Sequence, residues 1–265
     1  MRSSWLFPPR TREVQLDEKW AFVAKKQANC DPTDPADDHK GDYWDHVAYD
    51  PEHRLVLAVI PGARTLENAE AITAEVGRRL GGQAPDLITT DEAPAYETAI
   101  ERTFGEPVPP PPRRGPGRPR LLPQRRLPER LQYATVHKHR EGGRVVAVDR
   151  RQVFGTPSGL ASALEASAVS RGVNTSFVER RHATDRGRNA RKARRTYRFS
   201  KDWGVHEAMT YYTLYRDNHC WPVRTLRTKG ADGRWQRRTP AMAAGLADHV
   251  WSPKEWLSFP AIQFS

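Results

Sequence analysis

Cysteine is almost missing from this chain: Cys30 and Cys220 are the only two in 265 residues. They form no C-x-x-C pair and fall short of the four ligands of a structural zinc site, so a disulfide framework and a cysteine-built zinc module are both excluded. A reducing, cytoplasmic setting is the expectation. Long apolar runs are missing too. None approaches the roughly 20 residues that span a bilayer, and the apolar stretch in "MRSSWLFPPRTR" is too short for a secretory signal, so no membrane partner is predicted. Acidic residues are outnumbered, with 32 Asp+Glu against 43 Lys+Arg, a formal net charge of +11 and a pI near 9.9. That balance predicts a polyanionic partner. The excess is local: Arg171 to Lys201 holds eleven Lys or Arg and two acids, Glu179 and Asp185.

What is present reads as one sizeable α/β core with insertions. Alternation in "REVQLDEKWAFVAKK" predicts a long strand with Asp17 in its middle. "YWDHVAYDPEHRLVLAVIPG" predicts two more strands, turning at Asp50-Pro51-Glu52-His53. Thr65 can cap an amphipathic helix carrying Leu66, Ala69, Ile72, Val76 and Leu80, which Gly81-Gly82 ends. "PDLITTDEAPAY" predicts a short strand ending at Asp91, parallel to an earlier strand because a helix crosses between them. Glu106 to Arg130 holds nine prolines and seven arginines, a composition that predicts an exposed arm with no packed element. Two strands around Gly142-Gly143, a short helix in "SGLASALEASAVS" and a basic helix from about Thr175 follow. Then comes a helix through "SKDWGVHEAMTYYTLYRDNH" with Val205, Ala208, Tyr212 and Tyr215 on one face. Ser252-Pro253-x-Glu255 predicts a last short helix with a capping box. The order predicts an α/β fold with a mixed sheet.

Three carboxylates are the candidates for chemistry: Asp17 within a strand, Asp91 at a strand end and Glu179 near a helix start. Cutting or joining a phosphodiester requires an activated nucleophile and a stabilised leaving oxygen, and two hard divalent cations held by carboxylate oxygens provide both. A carboxylate within an apolar strand also demands a cation.

"LDEKWAFVAKK", "TTDEAPAY" and "NTSFVERRHATDRGRNARKARRTYRFSKD" resemble, in that order, the three blocks of the insertion sequence one type transposases, a branch of the DDE transposases with an RNase H-like fold. The resemblance runs from about Glu13 to Asn218, with "RTPAMAAGLADHVW" similar to a C-terminal phrase of bacterial transposases. It implies an RNase H-like mixed sheet flanked by helices, with Asp17, Asp91 and Glu179 as catalytic residues and ligands of two Mg²⁺ or Mn²⁺ ions. It also implies DNA, as transposon ends and target, for a partner, and a homo-oligomer as the working form. The chain departs from the resemblance in two ways. Only sixteen residues precede Asp17, too few for the zinc-binding and helix-turn-helix modules of such proteins, so residues 1–12 read as a linker or truncated remnant and the chain as a catalytic domain from a truncated gene, a separately encoded reading frame beside its own end-binding protein, or a mis-called start. The Pro/Arg-rich insertion at 106–130 has no counterpart in the core fold. Residues 13–221 are then the catalytic domain and 222–265 a C-terminal extension.

Simpler readings stand beside these. Asp17 would serve as an exposed strand acid paired with Lys19. Asp91 would cap a helix or begin a turn around Pro94, with Glu92 a weaker candidate for the same metal. Ser176-x-x-Glu179 spells a capping box; alternatively Asn174 or Thr175 caps, and Glu179, Ala183, Arg186 and Ala190 share a face toward the metals. His182 is a possible accessory to the site. Arg180, Arg181, Arg188, Arg191, Lys192, Arg194 and Arg195 are the predicted DNA contacts, because so few acids accompany them. Gly117-Arg118-Pro119 matches a minor-groove-binding core in three residues. A catalytically idle DNA-binding remnant and a stand-alone nuclease of the same fold are the alternative functions.

Overall fold

The structure is a computed structural model that describes residues 11–108 and 124–259; Gly117, Arg118 and Pro119 lie outside them. Alternation sets the first strands as expected. Strand β1 (Glu13–Val23) turns Val14 and Leu16 into one core and Gln15 and Lys19 toward the opposite face. β2 (Gly41–Asp50) and β3 (Leu55–Gly62) form an antiparallel hairpin, and the Asp50 carboxylate accepts the His53 N–H (3.0 Å) in its turn. Thr65 caps α1 (Leu66–Arg79) through the Asn68 N–H. β4 (Leu87–Asp91) then lies parallel to β1.

Two local readings change here. Pro94 opens a full helix, α2 (Pro94–Phe104), which buries Tyr96, Ala99, Ile100 and Phe104; proline suits a first helical turn, where its missing N–H costs nothing. The Pro/Arg-rich insertion is not structureless at its base. β5 (Glu106–Val108) and β6 (Gln124–Arg126) pair antiparallel, and Arg125 donates to the Gly105 (2.7 Å) and Arg102 (3.0 Å) carbonyls.

β7 (Gln132–Glu141) and β8 (Arg144–Phe154) form the second hairpin, and α3 (Pro157–Ala166) follows. α4 (Ser176–Arg188) is the basic helix and α5 (Trp203–Cys220) the longest one. A small hairpin, β9 (Thr228–Lys229) with β10 (Trp235–Gln236), precedes α6 (Pro240–Ala243) and α7 (Pro253–Ser258), and α7 starts with the expected Ser252–Glu255 capping box. The six-stranded sheet runs β3-β2-β1-β4-β7-β8, with β1, β4 and β7 parallel and the others antiparallel to their neighbours. α1 and α2 cover one face, around Leu16, Ile72, Ile88 and Ile100. α4 and α5 cover the other, where Val178 and Leu214 meet Val47 and Val59, and α3 packs there on β7. This is an RNase H-like mixed sheet flanked by helices. The sheet's outer strands differ: α5 holds β3 through Asn218, which exchanges hydrogen bonds with the Val56 N–H (3.0 Å) and carbonyl (2.9 Å), whereas β8 is a largely exposed strand bearing Arg144, Arg150 and Arg151.

The face of α5 toward the sheet is polar and is not the one its apolar spacing suggested. Val205 is exposed, while His206, Thr210, Thr213, Leu214, Asp217 and Asn218 are buried. Those groups close a buried ion cluster. Lys19 of β1 pairs with Asp45 of β2 (3.2 Å) and with Asp185 of α4; Lys192 bonds both oxygens of Asp45 at 2.7 Å. His206 Nε2 sits 3.0 Å from the Lys192 ammonium, and the Thr213 hydroxyl donates to Asp185 (3.1 Å). Two lysines facing two aspartates leave the cluster neutral, and the lysines hold the Asp45 carboxyl well below its usual range despite complete burial. Removing one partner strands a buried charge. Asp45→Asn is therefore expected to cost about 3–5 kcal/mol in urea unfolding, and exposed Arg198→Ala less than about 0.5 kcal/mol.

Candidate metal and nucleic-acid site

The register of β1 on β4 pairs Gln15 with Thr89, and the same offset carries Asp17 level with Asp91. Asp91 ends β4, where α/β sheets gather their ligands, and Asp17 lies mid-way along β1, just past the last rung of its ladder with β4. One carboxylate oxygen each from Asp17, Glu18 and Asp91 falls within 4.8 Å of the others. The first two predicted residues are thus brought together, and Glu18 joins them. Strand alternation sends Glu18 to the α2 side of the sheet, next to the buried Tyr96, which is why sequence spacing gave no sign of it.

The third predicted carboxylate sits beside this group, outside it. α4 begins after Thr175, so Ser176 is inside the helix and the Ser176–Glu179 capping box does not form. Gln15, wholly buried in β1, takes over the capping: its side-chain oxygen accepts the Phe177 (3.1 Å) and Val178 (3.2 Å) N–H groups. Glu179 is released from the backbone, accepts the Thr175 hydroxyl (2.5 Å) and pairs with Lys138 of β7. Its charge still reaches Asp91. α4 stops at Arg188, so Ala190 is not on its face with Glu179.

Electrostatics identify the cluster as a place short of positive charge. Burial first, and then the neighbouring Asp91, push the Glu18 carboxyl up to about 7. Asp91 is raised as well, by lost hydration and by Asp17. Arg64 answers both, with one guanidinium nitrogen 3.1 Å from Glu18 and 3.4 Å from Asp91. His182 is buried with Nε2 at 3.3 Å from Asp17, too poorly aligned to hydrogen-bond, and neither ring nitrogen finds a partner. The buried Tyr96 hydroxyl faces the Glu18 carboxylate. A hard donor set of three carboxylates, underneutralised and flanked by orphaned buried polar atoms, fits a divalent cation. Asp17, Glu18 and Asp91 would hold it. Glu92 is turned away and pairs with His137 (2.9 Å). Asp17 does not pair with Lys19, which is committed to the buried cluster.

The predicted DNA contacts separate into groups. Arg180, Arg194 and Arg195 are exposed, and Arg191 is half-buried. Arg181 and Arg188 bind Asp217 from α5, and Arg188 also lies over the Trp221 ring at 3.9 Å. Lys192 drops out of the basic face, because it is 5% exposed and its ammonium is held by Asp45. Arg64 and Lys138, which meet the carboxylates, were missed by the sequence; each is a single cation in a turn or strand with no pattern to mark it.

A metal-free pH profile tests the site's electrostatics. The raised Glu18 favours protonation in the native state, so in EDTA its contribution to stability is expected to fall as pH rises from about 4.5 through about 7. Glu18→Gln is expected to flatten that fall, by on the order of 1–3 kcal/mol, in chemical unfolding at a series of pH values. Mg²⁺ or Mn²⁺ is expected to raise the melting temperature of the parent and not that of the Asp17→Asn, Asp91→Asn double variant.

No protein-family model matches the chain, and no curated protein does. Among solved structures it is similar, over part of its length, to complexes of the Mos1 transposase. With the Mos1 strand transfer complex it shares 22% identity at a TM-score of 0.24, covering 38% of this chain and 33% of that one. With the Mos1 mariner paired end complex with Mn it shares 21% identity at a TM-score of 0.23, covering 35% and 32%. The chain spans about a third of the length of these structures.

Proposed function

We propose that this domain performs metal-dependent phosphodiester chemistry on DNA as a transposase, cleaving an element's end and transferring the freed strand to a target. The observation that carries the reading is the Asp17–Glu18–Asp91 cluster, where β4 ends against the middle of β1 in an RNase H-like sheet, beside a helix rich in arginine. Divalent ions, Mg²⁺ or Mn²⁺ and two in number, would when bound supply Lewis acidity toward an attacking water or 3′-hydroxyl and the leaving oxygen. Asp17, Glu18 and Asp91 would hold the metal, and Glu179 would join them were Lys138 drawn to a phosphate. Arg64 exchanges its carboxylates for the incoming backbone in the same way, so DNA binding and completion of the site are linked. Arg180, Arg191, Arg194 and Arg195 position the phosphates. The three ordered blocks resembling insertion sequence one type transposases support this assignment of Asp17, Asp91 and Glu179, with residues 13–221 as the catalytic domain. Two ends must be brought together, so the working form is a homo-oligomer acting in the cytoplasm.

One observation favours the idle DNA-binding remnant: Glu179 and Asp91 already have cationic partners within the chain, Lys138 and Arg64. A strand-transfer assay separates the readings. Purified protein, a precut labelled DNA end and a plasmid target are incubated with Mg²⁺ or Mn²⁺. Joined products that depend on metal and fall at least about a hundredfold in Asp91→Asn are expected, as for loss of a group acting on the transition state. Cleavage without joining identifies a nuclease, and DNA binding without chemistry in either metal identifies the remnant.

A further inference from the structure

β1 outruns its neighbour. Its ladder with β4 ends at Gln15–Thr89, but β1 continues to Val23 paired only with β2. Past Asp17 the edge that faced β4 is open, and the chain after α4 returns along it, touching at Val23–Ser200, where the Ala24 N–H donates to the Ser200 carbonyl (2.8 Å). Between strand and returning chain lies a groove of about 710 Å³. Its apolar part is Phe22 against Phe199, ring centroids 4.7 Å apart, with Trp20 beside Phe22 at 5.7 Å. Trp20 is 39% exposed and Tyr197 is 97% exposed, so core packing accounts for neither ring. The cations are Lys26, Arg186, Arg191, Lys192, Arg194 and Arg195; Lys192 is held by Asp45, the four arginines pair with no acid among the described residues, and no acid lines the groove. Arg186 belongs to the same helix as Glu179 and His182, and it is close enough to Asp17 to feel that charge.

Cations without acids call for phosphate, and duplex DNA would satisfy them. Open aromatic faces among those cations call for something more, because a duplex keeps its base faces stacked internally while unpaired bases stack on protein rings at about 1–3 kcal/mol each. Location points the same way. Trp20 stands two residues beyond Glu18 on the same strand and the same face, about 7 Å at the usual strand rise. We infer that this groove holds unpaired nucleotides of the DNA strand adjoining the phosphodiester at the carboxylates, with bases stacked on Trp20 and Tyr197 and phosphates on Arg191, Arg194 and Arg195. The inference rests on the reading of Asp17 and Asp91 as the reaction site, but it is tested on binding alone.

The test is fluorescence anisotropy without divalent metal, titrating the full chain into labelled oligo(dT) and into a blunt duplex of equal length. Trp20→Ala, Tyr197→Ala is expected to weaken oligo(dT) binding tenfold or more and duplex binding less than twofold, with an unchanged circular dichroism spectrum as the check that the fold survives loss of the partly exposed Trp20 and the exposed Tyr197. Trp20→Phe, Tyr197→Phe restores oligo(dT) affinity to within about threefold, since a phenyl face still stacks. Arg194→Gln, Arg195→Gln lowers the salt dependence of oligo(dT) binding, and the aromatic variants leave it unchanged. Equal losses for oligo(dT) and duplex, or no loss for oligo(dT), overturn the groove while duplex binding keeps the DNA reading intact. Failure of the parent to bind either form overturns both.

Discussion

The buried pairing of Lys19 and Lys192 with Asp45 and Asp185 is the constraint on which the site depends. It joins β1, β2, α4 and the segment that follows α4 in one neutral cluster with no room for a missing member. Asp185 fixes the rotation of α4 and Gln15 fixes its start. With both ends set, Val178, His182, Asp185 and Asn189 face the sheet. His182 comes to rest over Asp17, and Glu179 points along the sheet toward β7. A helix this rich in arginine can pack because its inward positions carry no arginine, and the arginines at its margins, Arg181 and Arg188, are met by Asp217.

Charge is arranged in two layers. The deep layer is balanced and closed, two lysines against two aspartates. The outer layer is unbalanced in space: carboxylates gather where β4 ends against the middle of β1, and cations collect around them on α4, on β7 and in the turn before α1. Arg64 and Lys138 stand where the layers meet and satisfy carboxylates through single contacts that a phosphate could take over. A site built this way is held together by its own cations before a substrate arrives.

Much of this was legible before any coordinates. Alternation marked β1 to β3, helical spacing and Thr65 marked α1, and the parallel placement of β4 followed from the crossover. Asp17 and Asp91 meet because their strands are neighbours in register; the crossover made β4 parallel to an earlier strand without saying which, and only the resemblance to transposases joined the two carboxylates. Glu18 was invisible because alternation assigns consecutive residues to opposite faces, and the two carboxylates reach the same space only because β4 ends beside them at Asp91. The buried face of α5 was misread for a related reason: hydropathy rewards Val205 and Tyr212, whereas His206, Thr213 and Asn218 are buried by hydrogen bonds that no periodicity reports. Lys192 looked like one more surface cation, since nothing near it in sequence says that Asp45 lies above it.

The two margins of the sheet are protected by different physics. At β3 the Asn218 amide occupies a backbone N–H and carbonyl that a foreign strand would need, and that occupancy is indifferent to ionic strength. β8 relies on Arg144, Arg150 and Arg151, whose mutual repulsion discourages edge-to-edge association and fades within the Debye length as salt rises. The two borders therefore answer salt differently: the Asn218 contact on β3 is untouched by ionic strength, while the charge along β8 is screened as salt rises.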